Sequence, residues 1–223
     1  MNVVPHRSYF VLFAVLAIGG LAADQASKYL VFSQLYPGEA TEIETRQVVI
    51  PGLFDLRTLY TRQYDAGEGR LSFLRTISGD RLPYVNRGAL FGIGGGDDDE
   101  AGGMNGFFAI VSVLAAIFIV GWVTRAHVAQ DRFLCLALGL ILGGTLGNLY
   151  DRIVFHGVRD FLHWYYETHV WPDFNIADCC LVCGAGTLLL HSFFVKDPAP
   201  DAAKVEPAPA QAPLETTSST PGA

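Results

Sequence analysis

Apolar and polar positions separate cleanly along the chain. Four stretches carry no Asp, Glu, Lys or Arg: residues 9–23, 105–123, 133–150 and 179–195. Crossing a bilayer takes about 20 predominantly apolar residues, with a range of about 17–25. The last three stretches reach that length as they stand. The first does so if its helix runs on through Asp24-Gln-Ala-Ser-Lys28 to about residue 32. Hydrocarbon offers a bare backbone no hydrogen-bond partner, so each stretch is predicted as a helix. The expected fold class is an all-α membrane protein with four transmembrane helices, near residues 9–32, 105–123, 133–150 and 176–195.

A cleavable signal peptide competes for the first stretch, because His6-Arg7, the apolar core and Leu21-Ala22-Ala23 fit that pattern. Asp24 and Lys28 stand at i, i+4 on one helical face, where they can pair, and this favours a continuing helix. Residues 33–104 then hold seven Arg, no Lys and eleven acids, with turn formers at Pro37-Gly38, Pro51-Gly52 and Gly94-Gly95-Gly96. Alternation over residues 54–60 and the run 71–77 predict short strands, hence a small extracytoplasmic β-rich module between the first two helices. The run Asp97-Asp98-Asp99-Glu100 reads as a solvated acidic loop rather than a cation site. Residues 1–195 form the membrane domain, and residues 196–223, with six prolines, read as a disordered cytoplasmic tail.

Composition agrees with this picture. Of 223 residues, 51% are apolar and 17% charged, against about 25% charged in soluble domains. The net charge is −7 and the mean hydropathy +0.31, which excludes a disordered chain, a coiled coil and a basic nucleic-acid-binding domain. Cys135, Cys179, Cys180 and Cys183 lie in or beside apolar runs. Cys180 and Cys183 make a C-x-x-C without a second pair at zinc spacing, so packing is the expected role, and neither metal nor cofactor is called for. Basic residues in short segments set orientation. Arg7, Arg125, Arg132, Lys196 and Lys204 fall on one side and Arg152 and Arg159 on the other, which places both termini in the cytoplasm.

That topology puts residues 151–178 on the same membrane face as the module. They include Asp151, Asp160, Asp173 and Asp178, and ionisable groups at membrane helices are functional candidates. Asn148 precedes Asp151 by three residues and Asn175 precedes Asp178 by three, so each pair shares a helical face. The bland readings are a helix N-cap at Asp178 and an interfacial charge pair at Asp151-Arg152. The functional reading is a carboxylate pair. Two carboxyls crowded at low dielectric share one proton, so the ionised one can deprotonate water while the protonated one polarises a carbonyl. Spacing alone leaves open which two aspartates meet.

The motifs resemble those of lipoprotein signal peptidase (signal peptidase II), a family of bacterial membrane aspartic endopeptidases. Asp24-Gln-Ala-Ser-Lys28 is similar to D-Q-x-[ST]-K, and Asn86-Arg-Gly88-Ala-Leu-Phe91-Gly92 to N-x-G-x-x-F-[GS]. Gly147-Asn148-Leu-Tyr-Asp151-Arg152 is similar to G-N-x-x-D-R, Val158-Arg-Asp160-Phe161 to V-x-D-F, and Phe174-Asn175-Ile-Ala177-Asp178 to F-N-x-A-D. The resemblance covers about residues 9–195. It implies that Asp160 and Asp178 are the catalytic dyad and that Asn86, Gly88, Asn148, Asp151, Arg152 and Asn175 line or support the site. Asp24 and Lys28 match a supporting pair, and Asp151 with Arg152 an ion pair behind the dyad. It further implies diacylglyceryl prolipoprotein substrates cut before the lipidated cysteine, contact with membrane lipids, no metal, and residence in the bacterial inner membrane with the site near the extracytoplasmic face. Two departures stand out: residues 61–83 look like an insertion, and Arg159 occupies a position where the pattern more often has a small apolar residue.

The remaining residues carry structural expectations. The six histidines show no metal-ligand spacing; Trp164, Tyr165, Tyr166 and Trp171 suit an interfacial belt; Gly139, Gly143, Gly144 and Gly147 suit close helix packing. A small transporter or proton-relay protein using the same carboxylates is the rival function.

Overall fold

The computed structural model describes residues 8–39, 43–67, 69–88 and 98–194, with backbone alone for 98–103 and 126. In chain order the elements are α1 (Phe10–Gln34), β1 (Glu44–Ile50), β2 (Phe54–Tyr64), α2 (Ser72–Arg75), a 3-10 turn (Thr76–Ser78) and β3 (Arg81–Pro83). They continue with α3 (Asp98–Val123), α4 (Ala126–Ala129), α5 (Arg132–Val154), β4 (Leu162–Tyr166), β5 (His169–Val170) and α6 (Ile176–Phe194). The chain is a multi-pass membrane protein, since α1, α3, α5 and α6 each contain a stretch long and apolar enough to cross a bilayer. Asp24 and Lys28 fall inside an unbroken α1, as the continuing-helix reading expects.

Burial ranks the four. The apolar window of α5 is 61% buried, against 22% for α1 and 11% for α3 and α6, so α5 is the central helix. The outer faces of the others present Val11, Ile18, Ile117, Phe118, Val182 and Phe193, residues that lipid solvates. Asp131 starts α5 by accepting from Phe133 N and Leu134 N, at 2.8 and 3.1 Å. Two glycines on α5 let its neighbours touch its backbone. A Cβ at Gly143 would lie 2.9 Å from Ala17 O of α1, and one at Gly144 would lie 2.4 Å from Ala177 O of α6. Gly143→Val is therefore expected to push α1 off α5 and cost about 1–3 kcal/mol, as overpacking does, read as a lower melting temperature in detergent.

The strands form one antiparallel sheet with order β1-β2-β4-β5, and β3 also pairs with β2. The link between α5 and α6 thus contributes two of the five strands. The strand expected over 54–60 is present within β2, but the run 71–77 is α2 and the 3-10 turn. Both edges of residues 54–56 are already paired, to β1 and β4. The run instead curls so that Ser72 and Arg75 both reach the Asp65 carboxylate. A second apolar cluster, Val31, Phe32, Leu35, Tyr60, Phe161 and Leu162, fastens the sheet to the end of α1. Trp164, Tyr166 and Trp171 are exposed on the sheet's far part. The side chains of Asp97-Asp98-Asp99-Glu100, the motif residues Phe91 and Gly92, the charges of Arg7, Lys196 and Lys204, and the tail lie outside the described residues.

Candidate active site

Where the sheet meets the bundle, backbone pairing sets two carboxylates beside one amide. Leu162 and Phe174 form an antiparallel bridge, with Phe161 N and Leu162 N donating to Phe174 O. This places Asn175, the residue before α6, next to Asp160. The Asn175 side chain is fully buried, and its Nδ2 donates to Asp160 Oδ1 at 2.6 Å. Its Oδ1 accepts from Asp178 N at 3.1 Å, while Asn175 N donates to Asp178 Oδ2 at 3.1 Å. That reciprocal pair is a capping box on α6, so the helix-cap reading of Asp178 is correct as far as it goes. The other oxygen, Oδ1, accepts from Asn148 Nδ2 of α5 at 2.9 Å.

Asp160 is held from its other side. Asn86 pairs through its backbone with Val158, and its Nδ2 donates to Asp160 Oδ2 at 3.2 Å. Gly88 N donates to Asn86 Oδ1 at 3.0 Å, which turns the amide so that its NH2 faces the carboxyl. Asp160 has its pKa pushed up to about 7, chiefly because burial penalises its charge and next because of the negative charge of Asp178. Hydrogen bonds from Asn175 and Asn86 act against this without cancelling it.

Behind the pair lies a closed ionic network. Lys28, fully buried, donates to Asp24 Oδ2 at 2.8 Å, to Asn148 Oδ1 at 3.3 Å, and lies 3.3 Å from Asp151 Oδ2, so its three protons are accounted for. Lys28 thereby fixes which way Asn148 points. Asp24 Oδ1 accepts from Ala177 N at 2.9 Å, satisfying a free N–H in the first turn of α6. Gly147 makes room for this, since a Cβ there would sit 2.6 Å from Asp24 Oδ2.

One expectation needs correcting. Asp151 pairs with Arg159, not with Arg152. It accepts from Arg159 N at 2.9 Å, Arg159 Nη2 at 2.9 Å and Gln25 Nε2 at 3.1 Å. Successive residues on a helix project about 100° apart, so Asp151 and Arg152 cannot both face α1. Arg152 instead donates to Asn148 O at 3.3 Å, lies over the Phe108 ring at 5.6 Å, and feels the charges of Asp178 and Asp160 without contact pairing. The four aspartates thus sort themselves: Asp160 and Asp178 share Asn175, Asp151 turns to Lys28 and Arg159, and Asp173 pairs with His163 and Arg57.

Three residues of this assembly carry no role in the sequence reading. Arg159 is 1% exposed, donates to Gln25 Oε1 at 3.0 Å, and is stacked on Phe155 and Tyr29 at 3.8 and 4.4 Å. Its signal was a cation wedged between Val158 and Asp160-Phe161. Gln25 sits inside a quoted motif. Asn105 Nδ2 donates to Arg152 O at 3.2 Å and ties α3 to α5; nothing in its setting marks it.

Known proteins carry the same arrangement of elements. A bacterial membrane enzyme solved by the in meso method at 2.3 Å superposes with a TM-score of 0.60 at 23% identity, over 84% of this chain and 92% of that one. A second, at 1.9 Å, gives 0.56 at 21% identity. In sequence, the lipoprotein signal peptidase of Maridesulfovibrio salexigens is 31% identical over 188 residues, 84% of this chain and 97% of that protein. That of Rhodopirellula baltica is 36% identical over 199 residues, 82% of this chain and 72% of that protein. The family model described as signal peptidase (SPase) II matches residues 80–194, which includes β3, Asn86, α3, α5, Asp160 and α6. With about half of its residues matched by that model and most of its length by such relatives, the chain belongs to the lipoprotein signal peptidase (signal peptidase II) family.

Proposed function

We propose that this peptidase is an aspartic endopeptidase that removes signal peptides from diacylglyceryl-modified prolipoproteins, cutting before the lipidated cysteine. The observation that carries the reading is Asn175, whose buried amide touches Asp160 while its backbone N–H binds Asp178. Asp160, with its raised pKa, is the protonated member and Asp178 the base. Water attacks the scissile carbonyl carbon and gives a proton to Asp178, while Asp160 gives its proton to the carbonyl oxygen. The resulting gem-diol collapses: Asp178 passes its proton to the leaving nitrogen, the C–N bond breaks, and Asp160 recovers a proton from a diol hydroxyl. The products are a free signal-peptide carboxyl and a lipidated cysteine with a free amine, and both carboxyls are reset.

The surroundings suit such a substrate. Its acyl chains and apolar signal peptide reside in lipid, which the outward faces of α1, α3 and α6 meet directly. The site lies at the end of the bundle that carries the sheet, and the distribution of basic residues argues that this end faces outward across the bacterial inner membrane. A proton relay is disfavoured because Asp24, Lys28, Asp151 and Arg159 are bound to one another.

The test is cleavage in reconstituted vesicles. A diacylglyceryl prolipoprotein is expected to yield a product starting at its modified cysteine, at a rate unchanged by chelators, while the unmodified precursor stays intact. Equal cleavage of the unmodified precursor, or a product starting elsewhere, overturns the reading. The pH profile is a second check. Asp160 must be protonated to act, so kcat/KM should fall about tenfold per unit once pH has risen through about 7.

A further inference from the structure

The described part of the 61–83 segment, residues 61–67 and 69–83, is a built wall rather than a slack insertion. The end of β2 leads into Asp65, which accepts from Gly67 N at 2.9 Å and Ser72 Oγ at 3.1 Å and pairs with Arg75 at 2.5 Å. The Arg75 hydrogen bond holds the Asp65 carboxyl below the usual carboxylate range. Tyr29 of α1 donates to Leu74 O at 3.1 Å, and Ser78 donates back to Tyr29 O at 3.2 Å, so the wall is pinned to the bundle. Its inner side lines a groove that also contains Asn86, Gly88 and Asp160.

Among the described residues, four arginines, Arg57, Arg62, Arg75 and Arg87, line this groove with three aspartates, Asp65, Asp160 and Asp173. Arg75 is committed to Asp65, and Arg57 to Asp173 and Glu44. Arg62 is exposed and has no ion-pair partner among the described residues. The lining therefore has an available positive charge in the same groove as Asp160.

We propose that residues of the 61–83 wall form a subsite for the polar chain on the far side of the scissile bond, and that Arg62 makes this subsite favour acidic side chains. The inference rests on the proposed function and specifies it. The signal peptide is apolar and stays in lipid, whereas the chain after the cysteine is what enters water. The groove is built from the sheet and its insertion rather than from the lipid-facing helices, so it meets the watery side of the cleavage point.

Two diacylglyceryl prolipoproteins, acidic or basic in the first few residues after the cysteine and otherwise identical, test this. Wild type should prefer the acidic substrate by about three- to tenfold in kcat/KM at low ionic strength, and the ratio should shrink as salt is added. Arg62→Glu should reverse the preference and Arg62→Gln should flatten it. A wild-type ratio within about twofold of unity overturns the subsite, as does a preference that survives Arg62→Glu. If wild type cleaves both substrates equally, only the subsite falls; if it cleaves neither, the proposed function falls with it.

Discussion

Asp178→Asn and Asp160→Asn are each expected to lower kcat by about 10³-fold or more, towards the upper end of what general acid–base groups contribute. KM should move little, because neither change removes the groove. In Asp178→Asn the base is gone, since an amide cannot accept the proton of the attacking water. In Asp160→Asn the new NH2 can still polarise a carbonyl but cannot deliver a proton and recover it. Both substitutions also set donor against donor. Asp160 receives N–H groups on both oxygens, from Asn175 and Asn86, and Asp178 does so from Asn148 and Asn175 N. An asparagine can satisfy only one of each pair, so each variant should lose about 1 kcal/mol of stability while staying folded. Steady-state kinetics and a melting curve on the same samples separate the two effects. Normal turnover by either variant would remove the dyad.

Arg159→Met is expected to produce the largest loss of stability, about 3–5 kcal/mol, because it leaves Asp151 buried beside Asp24 with Lys28 as the shared cation. For a chain of this size that is about 6–20 °C in melting temperature. The guanidinium also fills the space between Phe155 and Tyr29, and methionine replaces the contact area but not the fork to Asp151. Adding Asp151→Asn should return part of the loss, since the uncompensated charge goes with it. Arg152→Met is the contrast: it breaks no contact ion pair and should cost much less in melting temperature. If Arg159→Met melted like wild type while Arg152→Met did not, the pairing described for Asp151 would be wrong. Since Arg159 directly precedes Asp160, its loss should also lower kcat per folded molecule.

The four spans were legible along the chain to within a few residues, because lipid leaves an uncharged run of that length no structure but a helix. The same holds for the Asp24–Lys28 pair, which needs nothing beyond helical spacing. The run 71–77 is helical turn rather than the expected strand, because the neighbouring edges were already taken and Asp65 offered a better arrangement. Strand β4 was not foreseen, since its pairing with residues 54–56, about a hundred positions earlier, leaves no local trace, and β5 only pairs back onto β4 in a short hairpin.

Motif spelling pointed to Asp160 rather than Asp151 as the partner of Asp178, but spacing could not choose between them. The structure separates the two by competition: Arg159, Lys28 and Gln25 claim Asp151, and the Leu162–Phe174 bridge brings Asp160 to Asn175. Periodicity reports which face of an element a side chain occupies. Which carboxylate is left without a cation depends on contacts between residues 8 to 153 positions apart, and only the assembled bundle and sheet create those.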